Sequence, residues 1–206
     1  MRRNVCGGIL ALALLAGTAG TSAAQETGTP LFKAPYRAFT NHEFGASLSD
    51  PGSYADFALE GFYSYGRGAN DFGIRGGFAD GQGGNDTRIL LGGDFRTQVL
   101  SYSESFPLDG ALTLGFGTQL GDGPDVFFLP IGVSLGRRFE LEGSNTTFTP
   151  YAQPLLIPTF GGGIDDNLNF ALGLGVDIRF SEQWAVRASG GLGDIDGVGV
   201  SLVYVR

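Results

Sequence analysis

The chain has 206 residues, 36 of them glycine, with one cysteine, one histidine and a formal net charge of −8. An acidic surplus of that size is repelled by phosphate backbones, so nucleic acid is excluded as a partner. A lone cysteine and a lone histidine exclude a disulfide framework and a Cys/His zinc site.

The N-terminus carries Arg2 and Arg3, an apolar run from Val5 to Ala16, and the small residues Ser22-Ala23-Ala24 before Gln25. Charge, apolar core and small residues in that order form a secretory signal. The run is shorter than the ~20 apolar residues a membrane-spanning helix needs, so residues 1–24 are expected to be cleaved after Ala24. Cys6 precedes most of the apolar run, where a lipidated cysteine would end it. Removing residues 1–24 from the 206 leaves 182, without cysteine or methionine, and takes the formal charge to −10 because Arg2 and Arg3 go. Residues 25–41 read as an N-terminal extension and 42–206 as one domain.

From there Gly, Asn, Asp and Pro recur every ten to fifteen residues or so, the punctuation of an all-β chain. Phe44, Ala46 and Leu48 sketch a short first strand. Phe57, Leu59, Gly61, Tyr63 and Tyr65 then alternate with Asp56, Ala58, Glu60 and Ser64, Phe62 being the exception. Phe72, Ile74 and Phe78 oppose Asp71, Gly73, Arg75 and Gly77; Ile89, Leu91, Phe95 and Val99 oppose Arg88, Gly92, Asp94, Arg96 and Gln98. Leu112, Leu114, Phe116 and Leu120 alternate with small and polar residues, as do Phe127, Leu129, Ile131, Val133 and Leu135 with Pro130, Gly132, Ser134, Gly136 and Arg138. Residues 147–158, TFTPYAQPLLIP, carry three prolines and predict an irregular strand.

The clearest run is 167–180, where Leu168, Phe170, Leu172, Leu174, Val176, Ile178 and Phe180 share one face and Asn169, Ala171, Gly173, Gly175, Asp177 and Arg179 the other. A soluble sandwich would cover its polar face with long solvated side chains. Glycine and alanine with isolated charges instead suit a narrow polar interior, which turns the apolar face to lipid. Trp184, Val186, Ala188 and Leu192, then Val198, Val200, Leu202 and Tyr204, supply two closing strands.

These runs predict a transmembrane antiparallel up-and-down β-barrel. Nine strands without the first run become ten with it, and the even count of single-chain barrels favours ten, with eight as the alternative. Tyr63, Tyr65, Phe78, Phe127, Phe180, Trp184 and Tyr204 fall near strand ends, as an aromatic girdle would.

The segment GLGVDIRFSEQWAVRASGGLGDIDGVGVSLVYVR resembles the C-terminal end of small outer-membrane barrels of the opacity-protein and OmpA-barrel type, in which a strand ending in an aromatic turns into a Trp-containing strand before the closing one. Phe180, Ser181-Glu182-Gln183, Trp184 and Val198 to Tyr204 occupy those places, and FTPYAQP at 148–154 is similar to a segment of these barrels. The resemblance spans about 42–206 and implies a barrel of the porin-family type in a Gram-negative-type outer membrane, inserted by the barrel-assembly machinery. The chain departs from it in ending Tyr204-Val205-Arg206, where the assembly signal usually ends in an aromatic.

Hairpin arithmetic pairs some inward charges. A loop at 66–69 would set Glu60 opposite Arg75; Phe180 opposite Trp184 sets Asp177 opposite Arg187; Asp71 opposite Arg96 makes Asp94 a diagonal neighbour of Arg75. With Asp56, Arg88, Arg138 and Arg179 these form a nearly balanced interior network. A narrow barrel must pair such charges or lose several kcal/mol for each orphan, so the network reads as structural.

No catalytic constellation is expected: His42 stands in the weak first strand with no serine motif beside it. GDGPD at 121–125 and GGGIDDN at 161–167 lack the spacing of a calcium loop and read as turns, and no cofactor or metal is expected. Gly173-Leu174-Gly175 falls on alternating strand positions and binds no phosphate. The expected role is a structural, envelope-maintaining barrel with at most narrow solute permeation, since the loops near 80–86, 121–125, 161–166 and 194–197 are short. A small-solute pore, and a secreted soluble barrel holding an apolar ligand, are the alternatives.

Overall fold

The computed structural model describes residues 32–36, 41–51, 55–81, 87–121, 124–161 and 167–206. The signal segment expected over 1–24 lies outside the described residues. The strands are β1 (His42–Asp50), β2 (Ala55–Arg67), β3 (Asn70–Gly81), β4 (Arg88–Leu100), β5 (Asp109–Leu120), β6 (Val126–Phe128), β7 (Ile131–Gly136), β8 (Phe139–Glu140), β9 (Thr147–Gly161), β10 (Asn167–Arg179), β11 (Trp184–Gly193) and β12 (Gly197–Val205). All pairings are antiparallel, and β12 returns to β1 with Phe44 opposite Tyr204 and Leu48 opposite Val200. Since β6 and β7 both lie between β5 and β9, they and β8 are consecutive pieces of one stave. The barrel therefore closes with ten staves, the count that parity favours over eight. The His42 and Arg206 main chains exchange hydrogen bonds of 3.0 and 2.8 Å, so both ends of the barrel chain share one rim.

The prolines act on the neighbouring stave and not on their own. β9, expected to be irregular, is the longest strand at 15 residues. Pro150, Pro154 and Pro158 sit four residues apart, each with its backbone edge toward β6–β8. There the Pro150 and Pro158 carbonyls accept from Arg137 and Leu129 at 3.3 and 3.0 Å, but a proline nitrogen has no hydrogen to return. The opposite stave breaks between β6 and β7 and between β7 and β8 at those points, and its pairing with β9 lapses around Pro154.

Two local features reset what the alternation alone would give. A bulge between Ala55 and Phe57 ejects Asp56, which is exposed and is not a lumen residue. The β2–β3 turn holds only Gly68 and Ala69, with Gly68 at φ +60°, where a two-residue hairpin places glycine. Arg67 therefore faces Asn70, and Glu60 faces Gly77, not Arg75.

The faces separate by polarity in the reverse of a soluble protein. Ile74, Leu168 and Val198 are 65, 66 and 62 % exposed on the outside. Glu43, Ser47, Glu60, Ser64, Asp71 and Arg96 are buried on the inside. An apolar shell this continuous is stable against lipid, whereas water would leave it as one large unsolvated patch.

Candidate functional site: an occupied lumen

The inward faces carry many glycines and serines, whose small side chains leave the middle of a ten-stave barrel unfilled. Residues Phe32–Tyr36, ahead of β1, occupy that space. The Phe32 ring fills a hollow at Gly173 and Gly191; a Cβ at Gly173 would stand 1.9 Å from it. Around it Val126, Phe128, Leu155, Ile157 and Ile195 form a buried apolar cluster.

The remaining contacts hold the segment mainly by its backbone. The Tyr151 hydroxyl donates to the Phe32 carbonyl at 3.3 Å. The Lys33 N–H donates to Gln153 Oε1 at 2.7 Å, and Ser134 Oγ donates to the Lys33 carbonyl at 2.5 Å. Arg96 Nη1 donates to the Ala34 and Tyr36 carbonyls at 2.5 and 3.2 Å. Lys33 Nζ forms an ion pair with Asp94, and the Tyr36 hydroxyl accepts from the Arg138 N–H under the Arg138 guanidinium. The carbonyls of Phe32, Lys33, Ala34 and Tyr36 and the Lys33 N–H thus each meet a donor or acceptor of the wall, as burial of polar groups requires.

The wall charges form two tight clusters. Arg96 pairs with Asp71 at 2.8 Å across β3 and β4. Arg187 binds Asp177 on β10 at 3.1 Å and both oxygens of Glu43 at 2.9 and 2.5 Å. Glu43 comes from β1, two staves from Arg187, and was missed because the arithmetic considered only adjacent hairpin strands. Asp94 is diagonal to Arg75, since Gly73 faces Asp94 and Arg75 faces Gly92. Its direct partner, however, is Lys33, which sequence reasoning had placed in an extension outside the barrel. Glu60 makes no ion pair with Arg75, and its Oε2 has no hydrogen-bond partner. It lines a cavity of about 60 Å³ together with Ser47, Ser64, Arg75 and Phe62.

The other sequence-picked charges lie at the rims. Arg88 donates to the Pro124 carbonyl at 2.5 Å at the end opposite the termini. Arg138 and Arg179 flank a hollow of about 140 Å³ at the terminal rim, lined also by Tyr36 and Glu182.

Tyr63, Tyr65, Phe180, Trp184 and Tyr204 stand on the outer face near the terminal rim, with Trp184 and Tyr204 edge to face at 5.2 Å. Phe78 and Phe127 lie toward the opposite rim, Phe127 stacked on Phe160 at 6.0 Å. His42 rests between Tyr63 and Tyr65, its Nδ1 2.9 Å from the Tyr63 hydroxyl.

No family model matches the chain, and no curated protein does. Among solved structures it is similar to a de novo designed transmembrane β-barrel (13 % identity, 80 % of this chain and 93 % of that one, TM-score 0.41). It is also similar to the β-domain of the Bordetella autotransporter BrkA (13 %, 80 and 99 %, TM-score 0.46) and to Omp33 of Acinetobacter baumannii (10 %, 80 and 97 %, TM-score 0.38). Likenesses of this degree say nothing of activity or partner.

Proposed function

We propose that this protein is an integral barrel of a bacterial outer membrane whose lumen is closed by its own N-terminal segment, serving the envelope structurally and passing solutes at most narrowly. One observation carries the reading: Phe32–Tyr36 is seated in an ion-paired polar lumen, inside a shell whose outward side chains are apolar. Outer-membrane lipid is then its surroundings and the barrel-assembly machinery its partner during insertion. A soluble barrel binding an apolar ligand would need the apolar faces turned inward, opposite to Ile74, Leu168 and Val198. The reading assigns His42 a place among the rim aromatics, against the Tyr63 and Tyr65 rings, and no catalytic role.

Two measurements test it. The protein should need detergent for extraction and migrate faster on gels unheated than boiled; release by carbonate alone would overturn the membrane assignment. In planar bilayers the intact protein should be silent or conduct only in brief small steps, and a steady large conductance would overturn the closed lumen.

A further inference from the structure

We infer that once the N-terminal segment is withdrawn the lumen is a pathway for small cations, with Glu60 as the group that holds them. The inference rests on the closed-lumen reading above.

It follows from an excess of carboxylates on the wall. Asp71 and Arg96 balance one another. Arg187 alone serves both Glu43 and Asp177, leaving one negative charge over. Glu60 and Asp94 stand nearest the wall base Arg75; the other bases lining their cavity are Arg187, already engaged by Glu43 and Asp177, and Lys33, which belongs to the segment and not to the wall. The formal charge of this middle layer is therefore −1 with the segment in place and −2 without it. A low-dielectric passage with surplus negative charge concentrates cations and repels anions.

Glu60 supplies the second, independent observation. Its side chain is 3 % exposed and its Oε2 has no partner, although a buried carboxylate oxygen ordinarily has one. Ser47, Ser64, Ser189 and Ser201 line its cavity, the Ser47 and Ser201 hydroxyls sharing a hydrogen bond of 2.8 Å. Serine side chains lining the cavity of a carboxylate whose Oε2 has no hydrogen-bond partner suit a small, weakly hydrated cation such as potassium or ammonium. The approach from the rim opposite the termini is acidic as well: Asp80, Asp125, Asp194 and Asp196 stand there with Arg88 the one base among the described residues of that rim.

The test uses the exported protein, extracted in detergent and placed in uncharged phosphatidylcholine bilayers under an about tenfold KCl gradient. Two variants release the segment: deletion of residues 32–36, and Phe32→Ala with Lys33→Gln, which leaves the wall intact should the deletion not fold. Folded material is selected by its heat-modifiable migration. The expected result is a conductance absent from the parent, with a potassium-to-chloride permeability ratio of roughly five or more. Adding Glu60→Gln should cut that ratio at least by half. A conductance with a ratio at or below unity, or one indifferent to Glu60→Gln, overturns the cation pathway while leaving the closed lumen standing. Silence from both folded variants overturns the closed-lumen reading, and this inference with it.

Discussion

Replacing Arg187 by alanine tests whether the lumen is a dry, paired interior. The guanidinium side chain is 14 % exposed and its partners Glu43 and Asp177 are 1 and 8 % exposed. Truncation strands two carboxylates without the one base that contacts them directly. Breaking a buried ion pair by removing one partner costs about 3–5 kcal/mol, and two stranded acids put this case at the upper end. Glu43→Gln should cost less, about 2–3 kcal/mol, because Arg187 keeps Asp177. Asp177→Asn should cost less again, since one contact at 3.1 Å is lost where Glu43 has two at 2.9 and 2.5 Å. The triple change Arg187→Met, Glu43→Gln, Asp177→Asn should recover most of the loss by removing all three charges. Guanidinium unfolding in lipid vesicles, followed by the emission of Trp184, the single tryptophan, reads all four on the strand that carries Arg187. A loss below about 1 kcal/mol for Arg187→Ala, the value of a solvated pair, would refute the argument and make the lumen an aqueous channel.

Ile74→Arg should destabilise the protein in lipid by about 2–4 kcal/mol although the side chain is 65 % exposed, because what it faces is hydrocarbon; an effect under about 0.5 kcal/mol in the same unfolding assay would place that face in water. Gly173→Val should expel the Phe32 ring, whose atoms lie where the new side chain must go. Trypsin should then cut after Lys33 in the folded barrel of the variant and not in the parent, and equal protection would show that the segment does not depend on this hollow. Asp94→Asn should remove the ionic hold on Lys33 and speed the same cleavage several-fold with little change in unheated gel migration.

Stave number, faces and one pair in each tight ion cluster were legible because they depend on the two-residue period and on hairpin register. Asp71 opposite Arg96 and Asp177 opposite Arg187 follow from the registers found. Glu60 kept its inward face but lost its predicted partner, since a turn of two residues and not four displaces the register by two positions, which preserves the face and changes the neighbour. The Asp56 bulge leaves no mark in the alternation. The prolines of β9 were visible, but which edge they leave without donors depends on the neighbour's position. Phe32–Tyr36 has no periodicity to announce it. The available sign lay elsewhere, in the inward glycines and serines, whose volume is too small to fill a ten-stave barrel and so called for something else inside.

The contacts of that short segment reach across the barrel. Phe32 rests on β10 and β11, Lys33 and Ala34 are held by β4, and Ser134 and Gln153 add β7 and β9. β4 and β10 stand four staves apart one way round the barrel and six the other, so the segment bridges opposite walls. The segment is thus a cross-brace between those walls. It ties the wall against flattening under lateral membrane pressure. Withdrawing it would leave a softer barrel, so opening the lumen and loosening the wall are one mechanical event.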